Sequence, residues 1–432
     1  MPAFFKVSHY STKSKARLGT IHTSHGVIQT PAFVPVGTKG TIKALLPSLF
    51  KDIGVQVCFV NTYHLVTHPG PEIIAKAGGI HNYSKMNIPL MSDSGGFQVF
   101  SLAGSVSLRA KRSNLIKIAT SSGSAETARN DKNTRKASVR GEELPLVEKI
   151  SEDGVKFRSL YDGQLIEFTP EKSMEYQRQI GADLLMAFDE CTYYPATHEY
   201  AEKAMNRTHE WLKRCIAQVA SYKVHQVIKS PDNIKLDNFQ LYNFKTNHEQ
   251  YLYGIIQGGT FEDLRIQSAK FIAEQNVSGV AIGGVSVGET KEEMRQQVKW
   301  VAPYLPADKP VHLLGVGQID DIIDLVKYGI DTFDCVEPTR LARMGTVYQL
   351  EMINNKSTNK QIDINKSIFK ADLTPLDEKC TCYVCQNFTK SYLHHLFKQR
   401  EILGYTLATY HNLWVMERVM EEIRKLIGED RI

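Results

Sequence analysis

Two aspartates stand where the chain could do chemistry. Asp93 follows an apolar run in "PLMSDSGGFQVFS" (89–101), and Asp334 lies in "DTFDCVEP" (331–338). A carboxylate at the end of an apolar run gives up hydration, so each is costly unless it is paired or used. Paired carboxylates at a glycosidic linkage divide the work: one attacks the anomeric carbon and the other handles protons. An N-glycosidic bond in a nucleoside needs the same two roles, because its transition state is also oxocarbenium-like. Around them, Asp189 and Gln257 can hydrogen-bond an amide or guanidine edge of a base. Backbone N–H groups at Gly283 and Gly284 can meet a carbonyl, since glycine lets a backbone approach closely. Phe97, just past the glycines of "SDSGGF", offers a ring for stacking. These residues alone lead to a hydrolase or transferase acting on a polar planar ligand.

A second constellation concerns metal. "KCTCYVC" supplies Cys380, Cys382 and Cys385, and a closed tetrahedral site needs a fourth ligand. His394 and His395 sit close by in "SYLHHLF", which reads as a helix carrying them on its side. His411, in "TYHNLWVMERVMEEIRKLIG", reads as the start of the last amphipathic helix and is the better candidate. Three thiolates and an imidazole leave no open position, so the expected ion is structural Zn²⁺.

The elements that must position these groups are short apolar runs stopping at Gly, Asp or Asn. They occur at 32–37, 56–64, 89–96, 184–191, 252–259, 279–289, 311–317 and 331–338, with helix-like stretches such as 169–181, 261–277 and 291–305 between them. Strands alternating with amphipathic helices imply parallel pairing, and eight such units predict an α/β fold, a (β/α)₈ TIM barrel. No glycine-rich dinucleotide fingerprint follows the first strand, which disfavours an open doubly wound sheet. Asp93, Asp189, Gln257, Gly283, Gly284 and Asp334 all fall at strand C-terminal ends, the face on which barrels build active sites.

Three segments break the pattern: 104–147, rich in Lys, Arg, Ser and Asn, 220–250, Lys- and Asn-rich, and 354–365. Each reads as a polar loop or insertion. With 432 residues, 42% of them hydrophobic, the chain can bury a large core, and its net charge of +5 permits a polyanionic partner. Seven cysteines, three of them crowded together, point to metal binding in a reducing compartment rather than to disulfides. No run approaches a membrane span and no signal peptide is visible, so the cytoplasm is expected.

Read together, "TSHGVIQTPAFVPVGTKGTIK" (23–43), "NTYHL" (61–65), "SDSGGFQVFSL" (92–102), "FDEC" (188–191), "GIIQGG" (254–259), "GGVSVGE" (283–289), "LLGVG" (313–317), "FDCVEPTRLARMG" (333–345) and the cysteine–histidine set resemble the queuine/tRNA-guanine transglycosylase family in the family's own order. Segments 104–147 and 220–250 read as lying outside the resemblance. The resemblance implies a zinc-containing barrel over 1–345, with a zinc-binding subdomain and C-terminal helices over 346–432. It implies exchange of guanine at the anticodon wobble position (34) of G-U-N tRNAs (those for Asp, Asn, His and Tyr) for a 7-deazaguanine base. Asp334 would attack C1′ of the ribose and hold the tRNA covalently, and Asp93 would be the general acid/base. Ser94, Gly95, Gly96, Phe97, Asp189, Gln257, Gly283, Gly284 and Leu314 would bind the base. The family's tRNA contacts correspond to Gly315, Val316, Gly317, Gln318, Ile319, Asp320 and Asp321, and to Thr339, Arg340, Leu341, Ala342 and Arg343. The resemblance further implies one structural Zn²⁺ per subunit on Cys380, Cys382, Cys385 and His411, and a homodimer. Cys191 and Val287 look like the bacterial type, which takes 7-aminomethyl-7-deazaguanine (preQ1) rather than queuine. Val285, Glu337 and Phe388 depart from the residues usual in the family.

Overall fold

A computed structural model describes residues 3–96, 147–159, 163–228, 248–349, 352–353, 356–357 and 360–432. Phe97, nearly all of 104–147 and the stretch 229–247 lie outside the described residues.

Three antiparallel strands, β1 (Phe5–Tyr10), β2 (Arg17–Thr23) and β3 (Gly26–Thr30), precede the barrel. The barrel begins with β4 (Ala32–Pro35), β5 (Cys58–Val60) and β6 (Leu90–Ser92). A second antiparallel sheet follows, made of β7 (Val147–Ser151), β8 (Gly154–Arg158) and β9 (Leu165–Phe168). The barrel resumes with β10 (Leu184–Met186), β11 (Tyr251–Ile256), β12 (Gly279–Ile282), β13 (Val311–Leu313) and β14 (Thr332–Cys335). Its eight parallel strands run in the order β4-β14-β13-β12-β11-β10-β6-β5. The circuit closes between β4 and β5 through a bridge of Val36 to Phe59, where Gly37 N–H donates to Phe59 O at 2.7 Å. All eight strands expected from the sequence are therefore present, each shorter than its apolar run. The two antiparallel sheets were not expected.

The period-2 alternation of a strand sorts the barrel side chains into two cores. Ala32, Val34, Met91, Leu184, Met186, Tyr253, Ile255 and Ala281 pack together inside the barrel with Ile21 and Ile28 from the N-terminal sheet. Their sequence neighbours Phe33, Leu90, Leu185, Leu252, Ile256, Val280, Ile282 and Phe333 pack outward against the helices. The N-terminal sheet thus plugs the bottom of the barrel. Arg17 pins it there, with Nε and Nη2 donating to the two carboxylate oxygens of buried Asp331, just before β14, at 3.0 and 2.6 Å.

The helices start where local chemistry says they should. In Pro170–Ile180 the Thr169 hydroxyl caps the first turn and proline occupies N1. In Lys291–Val301, Thr290 and Glu293 form a reciprocal capping box. Three expectations need correction. Residues 220–228 are not loop: they end the 31-residue helix His198–Ile228. Within 354–365, Lys360–Asp363 is a strand paired antiparallel with β15 (Thr346–Gln349), because Val347 and Ile362 turn an apolar face toward the core. The last helix, Ile402–Gly428, is 27 residues long and packs against β2, β4, β15 and the helix Glu337–Met344. His411 lies well inside it rather than at its start.

Candidate active site and metal cluster

Parity along the strands brings the reactive groups to one rim. Met91 and Ile255 point into the barrel, so Asp93 and Gln257, two residues on in each case, inherit that direction at the strand ends. On β14, Thr332 and Asp334 share the inward register, and on β13 the inward residue is His312. His312 Nδ1 lies 2.9 Å from Thr332 Oγ1 and its Nε2 3.2 Å from Asp334 Oδ1. The same ring stacks on Phe59 of β5, with centroids 5.8 Å apart. Gly315 N–H donates to Asp334 Oδ1 at 2.8 Å. Along the barrel β6, β5, β4 and β14 are consecutive, so Asp93 and Asp334 sit on the same rim with two strands between them.

Asp93 is held by the segment after β5. Thr62 N–H donates to Asp93 Oδ1 at 2.6 Å, the Asn61 amide donates to Oδ2, and the Thr62 hydroxyl donates to the Asp93 carbonyl at 2.6 Å. The glycines that follow answer to close packing of protein on protein. Gly95 has φ +81, and a Cβ there would lie 2.5 Å from Phe168; a Cβ on Gly96 would lie 2.6 Å from the Asp189 carbonyl oxygen.

Ser94, Asp189 and Gln257 form a buried polar cluster. The Ser94 hydroxyl donates to Asp189 Oδ1 at 2.9 Å and Gln257 Nε2 donates to Oδ2 at 2.8 Å. Burial outweighs both donors and pushes the Asp189 carboxyl up to about 6. Gln257 Oε1 is buried without a partner, beside Gly284, where a Cβ would come within 2.2 Å of it. Gly284 takes φ +61, and Leu314 packs over Gly283, whose Cβ would lie 3.4 Å from Leu314 Cδ1. Arg265, fully buried, latches this loop: Nη1 donates to Gly283 O and Nη2 to Gly284 O, both at 2.6 Å, Nε to Gly259 O at 2.7 Å, and Nη2 also to Gln297 Oε1 at 2.7 Å. A buried cation is tolerable here because carbonyl dipoles surround it, yet burial still lowers its pKa to about 10.

Residues 315–321 leave β13 beside Asp334. A Cβ on Gly317 would lie 2.3 Å from Cys335 Cβ, and Gln318 Nε2 donates to Glu337 Oε1 at 3.2 Å, so this loop and the helix Glu337–Met344 are neighbours. Val316 and Ile319 are buried. Asp320 and Asp321 are ion-paired: Lys291 Nζ lies 2.8 Å from Asp320 and Arg295 Nη2 2.7 Å from Asp321. On the helix, Thr339 and Ala342 are buried, Leu341 is half-buried, Arg340 is exposed, and Arg343 Nη1 donates to Thr339 O at 2.6 Å.

Cys380, Cys382, Cys385 and His411 converge, all buried, with their donor atoms within 4.8 Å of one another. The three sulfurs lie 3.8, 3.5 and 3.4 Å from His411 Nδ1. Ligands at about 2.3 Å (sulfur) and 2.0 Å (nitrogen) around a tetrahedral Zn²⁺ would be about 3.5 Å apart, so the donor set fits zinc. His411 Nε2 is 2.8 Å from the Tyr348 carbonyl, the outer partner that fixes a ligating imidazole. The neighbouring Asn412 accepts from Tyr348 N–H and donates to Pro338 O and Thr346 O at 3.0 and 3.1 Å. The cluster therefore also holds the start of helix Glu337–Met344.

Sequence reasoning gave no role to His312, Asn61, Thr62 or Arg265. The inward parity of "VHL" could have exposed His312, and "NTYH" ends a strand; nothing in "FEDLRIQ" marks Arg265 as buried. A cavity of ≈ 430 Å³, lined by Val66, Glu72, Lys156, Glu167 and Tyr176 among others, shares no residue with this site.

A family model described as queuine tRNA-ribosyltransferase matches residues 11–134 and 133–432. The match runs through 220–250 and breaks inside 104–147, so neither segment stands outside the matched range as expected. Proteins named queuine tRNA-ribosyltransferase are similar over nearly the whole chain. That of Caldanaerobacter subterraneus is 40% identical over 428 residues, covering 99% of this chain and 94% of its own. That of Synechococcus elongatus is 40% identical over 427 residues (99% and 92%), and that of Aquifex aeolicus 41% over 431 residues (99% and 96%).

Proposed function

Because the chain belongs to the queuine tRNA-ribosyltransferase family, we propose that it exchanges guanine at the wobble position (34) of G-U-N tRNAs for a 7-deazaguanine base through a covalent Asp334–ribose intermediate. The observation that carries the reading is the pairing of Asp93 and Asp334 on one barrel rim, each oriented by its own donors. Asp334 attacks C1′, a C1′–O bond forms, and the C1′–N9 bond breaks with its electron pair leaving on guanine. Asp93 moves the protons: it delivers one to the departing guanine, then takes the N9 proton of the incoming base as that base attacks C1′ and displaces Asp334, so Asp93 ends protonated as it began.

Ser94, Gly95, Gly96, Phe97, Asp189, Gln257, Gly283, Gly284 and Leu314 bind the base. Asp189 accepts from its amide-like edge, Gln257 Oε1 supplies an acceptor now without a partner, and the loop held by Arg265 presents backbone. The loop 315–321 and residues 339–343 take the tRNA, with exposed Arg340 suited to a phosphate or flanking base. A wobble base already lies in a loop, so extruding it costs little unstacking. Structural Zn²⁺ on the Cys₃His cluster ties the C-terminal unit (346–432) to the catalytic barrel (1–345). Exposed Ile368, Leu373, Tyr383 and Ile402 on the C-terminal unit suit a homodimer contact. Buried, unpaired thiols at Cys58 and Cys215 suit the reducing cytoplasm.

The preferred incoming base is preQ1, on the strength of Cys191 and Val287; the relatives are named for queuine, which is the alternative. A non-catalytic tRNA-binding subunit is disfavoured because both carboxylates are present and supported. Incubation of the protein with a G-U-N tRNA and either preQ1 or queuine, followed by nucleoside analysis, tests the reading. Incorporation of preQ1 alone supports it, incorporation of queuine alone replaces the base, and incorporation of neither overturns the activity.

A further inference from the structure

We propose that His25, Asp183 and His248 form a second metal site, on the N-terminal face of the barrel, for a divalent transition ion of the zinc class. His25 lies in the turn between β2 and β3, Asp183 directly precedes β10, and His248 lies just before β11. Three stretches distant in sequence thus bring two imidazoles and a carboxylate together, with one ligand atom of each within 4.8 Å of the others. Two imidazoles and a carboxylate are a donor set used by zinc, and the site lies at the opposite end of the barrel from Asp93 and Asp334.

The surroundings are those of a ligand set. His25 Nδ1 is 2.7 Å from Asp183 Oδ1. The other carboxylate oxygen accepts from Leu90 N–H at 2.9 Å and lies 3.1 Å from His81 Nε2, so Asp183 is oriented from behind. His81 stacks face to face on His25 at 3.4 Å, and the His248 ring meets His25 edge-on at 4.7 Å. His248 hydrogen-bonds the Ala182 backbone, while its Nε2 is buried without a partner. One ring nitrogen held by backbone and the other presented bare is how a ligating histidine is prepared. Donors about 2.1 Å from a tetrahedral ion lie about 3.4 Å apart, so modest rotations of the partly exposed His25 and His248 close the site. The ion replaces the proton shared by His25 and Asp183, which leaves to solvent, and water completes the coordination. Once bound, it would staple the N-terminal sheet to the barrel floor.

Full-length protein with its cysteine cluster loaded is dialysed against micromolar Zn²⁺, and metal content is measured beside that of His25→Gln and His248→Ala. Two zinc ions per wild-type chain, one per variant chain, and a zinc-dependent rise in melting temperature confined to wild type are expected. One ion per wild-type chain, or a second ion bound equally by both variants, overturns the proposal. If one variant fails to fold, the other decides, since both side chains are partly exposed.

Discussion

Gly315 N–H donates to Asp334 Oδ1 at 2.8 Å, and His312 Nε2 approaches the same oxygen at 3.2 Å, while no donor among the described residues reaches Oδ2. One carboxylate oxygen is fixed, and the other is the one the proposed attack on the ribose would use. Gly315 also opens the loop proposed to take the tRNA, so on that reading seating the RNA and aiming the nucleophile would share a backbone group. Its φ of +75 strains any L side chain, although a Cβ would meet nothing within 4 Å. Gly315→Ala is therefore expected to lower kcat about tenfold, as loss of one charge-assisted hydrogen bond would, with a smaller change in KM for tRNA. Steady-state kinetics at varied tRNA checks this; an unchanged kcat removes Gly315 from the aiming role.

Asp189 sets a pH dependence. An ionised carboxylate only accepts, whereas a protonated one donates, so base binding should weaken as pH falls through about 6. The inflection should vanish in Asp189→Asn. Stability runs the other way. Because the folded pKa is raised, the native state keeps a proton that the unfolded chain loses between about 4 and 6, and stability falls as pH rises across that window. Two units correspond to about 3 kcal/mol at most. Urea unfolding at pH 4.5 and 6.5 should show this loss in wild type and not in Asp189→Asn; equal slopes would contradict it.

Arg265 makes a prediction about the base pocket. Its planar fork serves Gly259, Gly283, Gly284 and Gln297 together, a geometry that lysine does not reproduce. Arg265→Lys leaves buried carbonyls without donors and should cost about 3 kcal/mol. Release of the Gly283–Gly284 loop should also raise KM for the base several-fold. Chemical denaturation and kinetics with varied base test the two effects separately.

Zinc removal should act on the fold first. The Cys₃His cluster holds the last helix, and Asn412 beside His411 holds Pro338 and Thr346. Chelation should lower the melting temperature and raise KM for tRNA through loosening of the segment bearing Arg340 and Arg343, with kcat less affected. Melting unchanged after verified zinc loss would contradict a structural ion.

Much of this was legible in the sequence for a physical reason. Parallel strands buried on both faces read as apolar runs, and their polar ends mark a single rim, so Asp93, Gln257 and Asp334 could be placed before any coordinates. C-x-C-x₂-C was equally legible, since few other uses explain three crowded cysteines. The supporting residues were not. Arg265 sits on an ordinary amphipathic helix, and only the tertiary approach of Gly283 and Gly284 reveals its burial. His25, Asp183 and His248 meet from three distant segments. The reason for Gly95 and Gly96 was also hidden, because Phe168 and the Asp189 carbonyl, whose closeness excludes a side chain, are remote in sequence.

The most direct test of the covalent mechanism is a denaturing gel of the protein mixed with labelled G-U-N tRNA and no incoming base. Wild type is expected to give a slow protein–tRNA band that disappears when preQ1 is added, and Asp334→Ala, still binding tRNA under native conditions, is expected to give none. An adduct of equal intensity from Asp334→Ala would show that another group attacks the ribose.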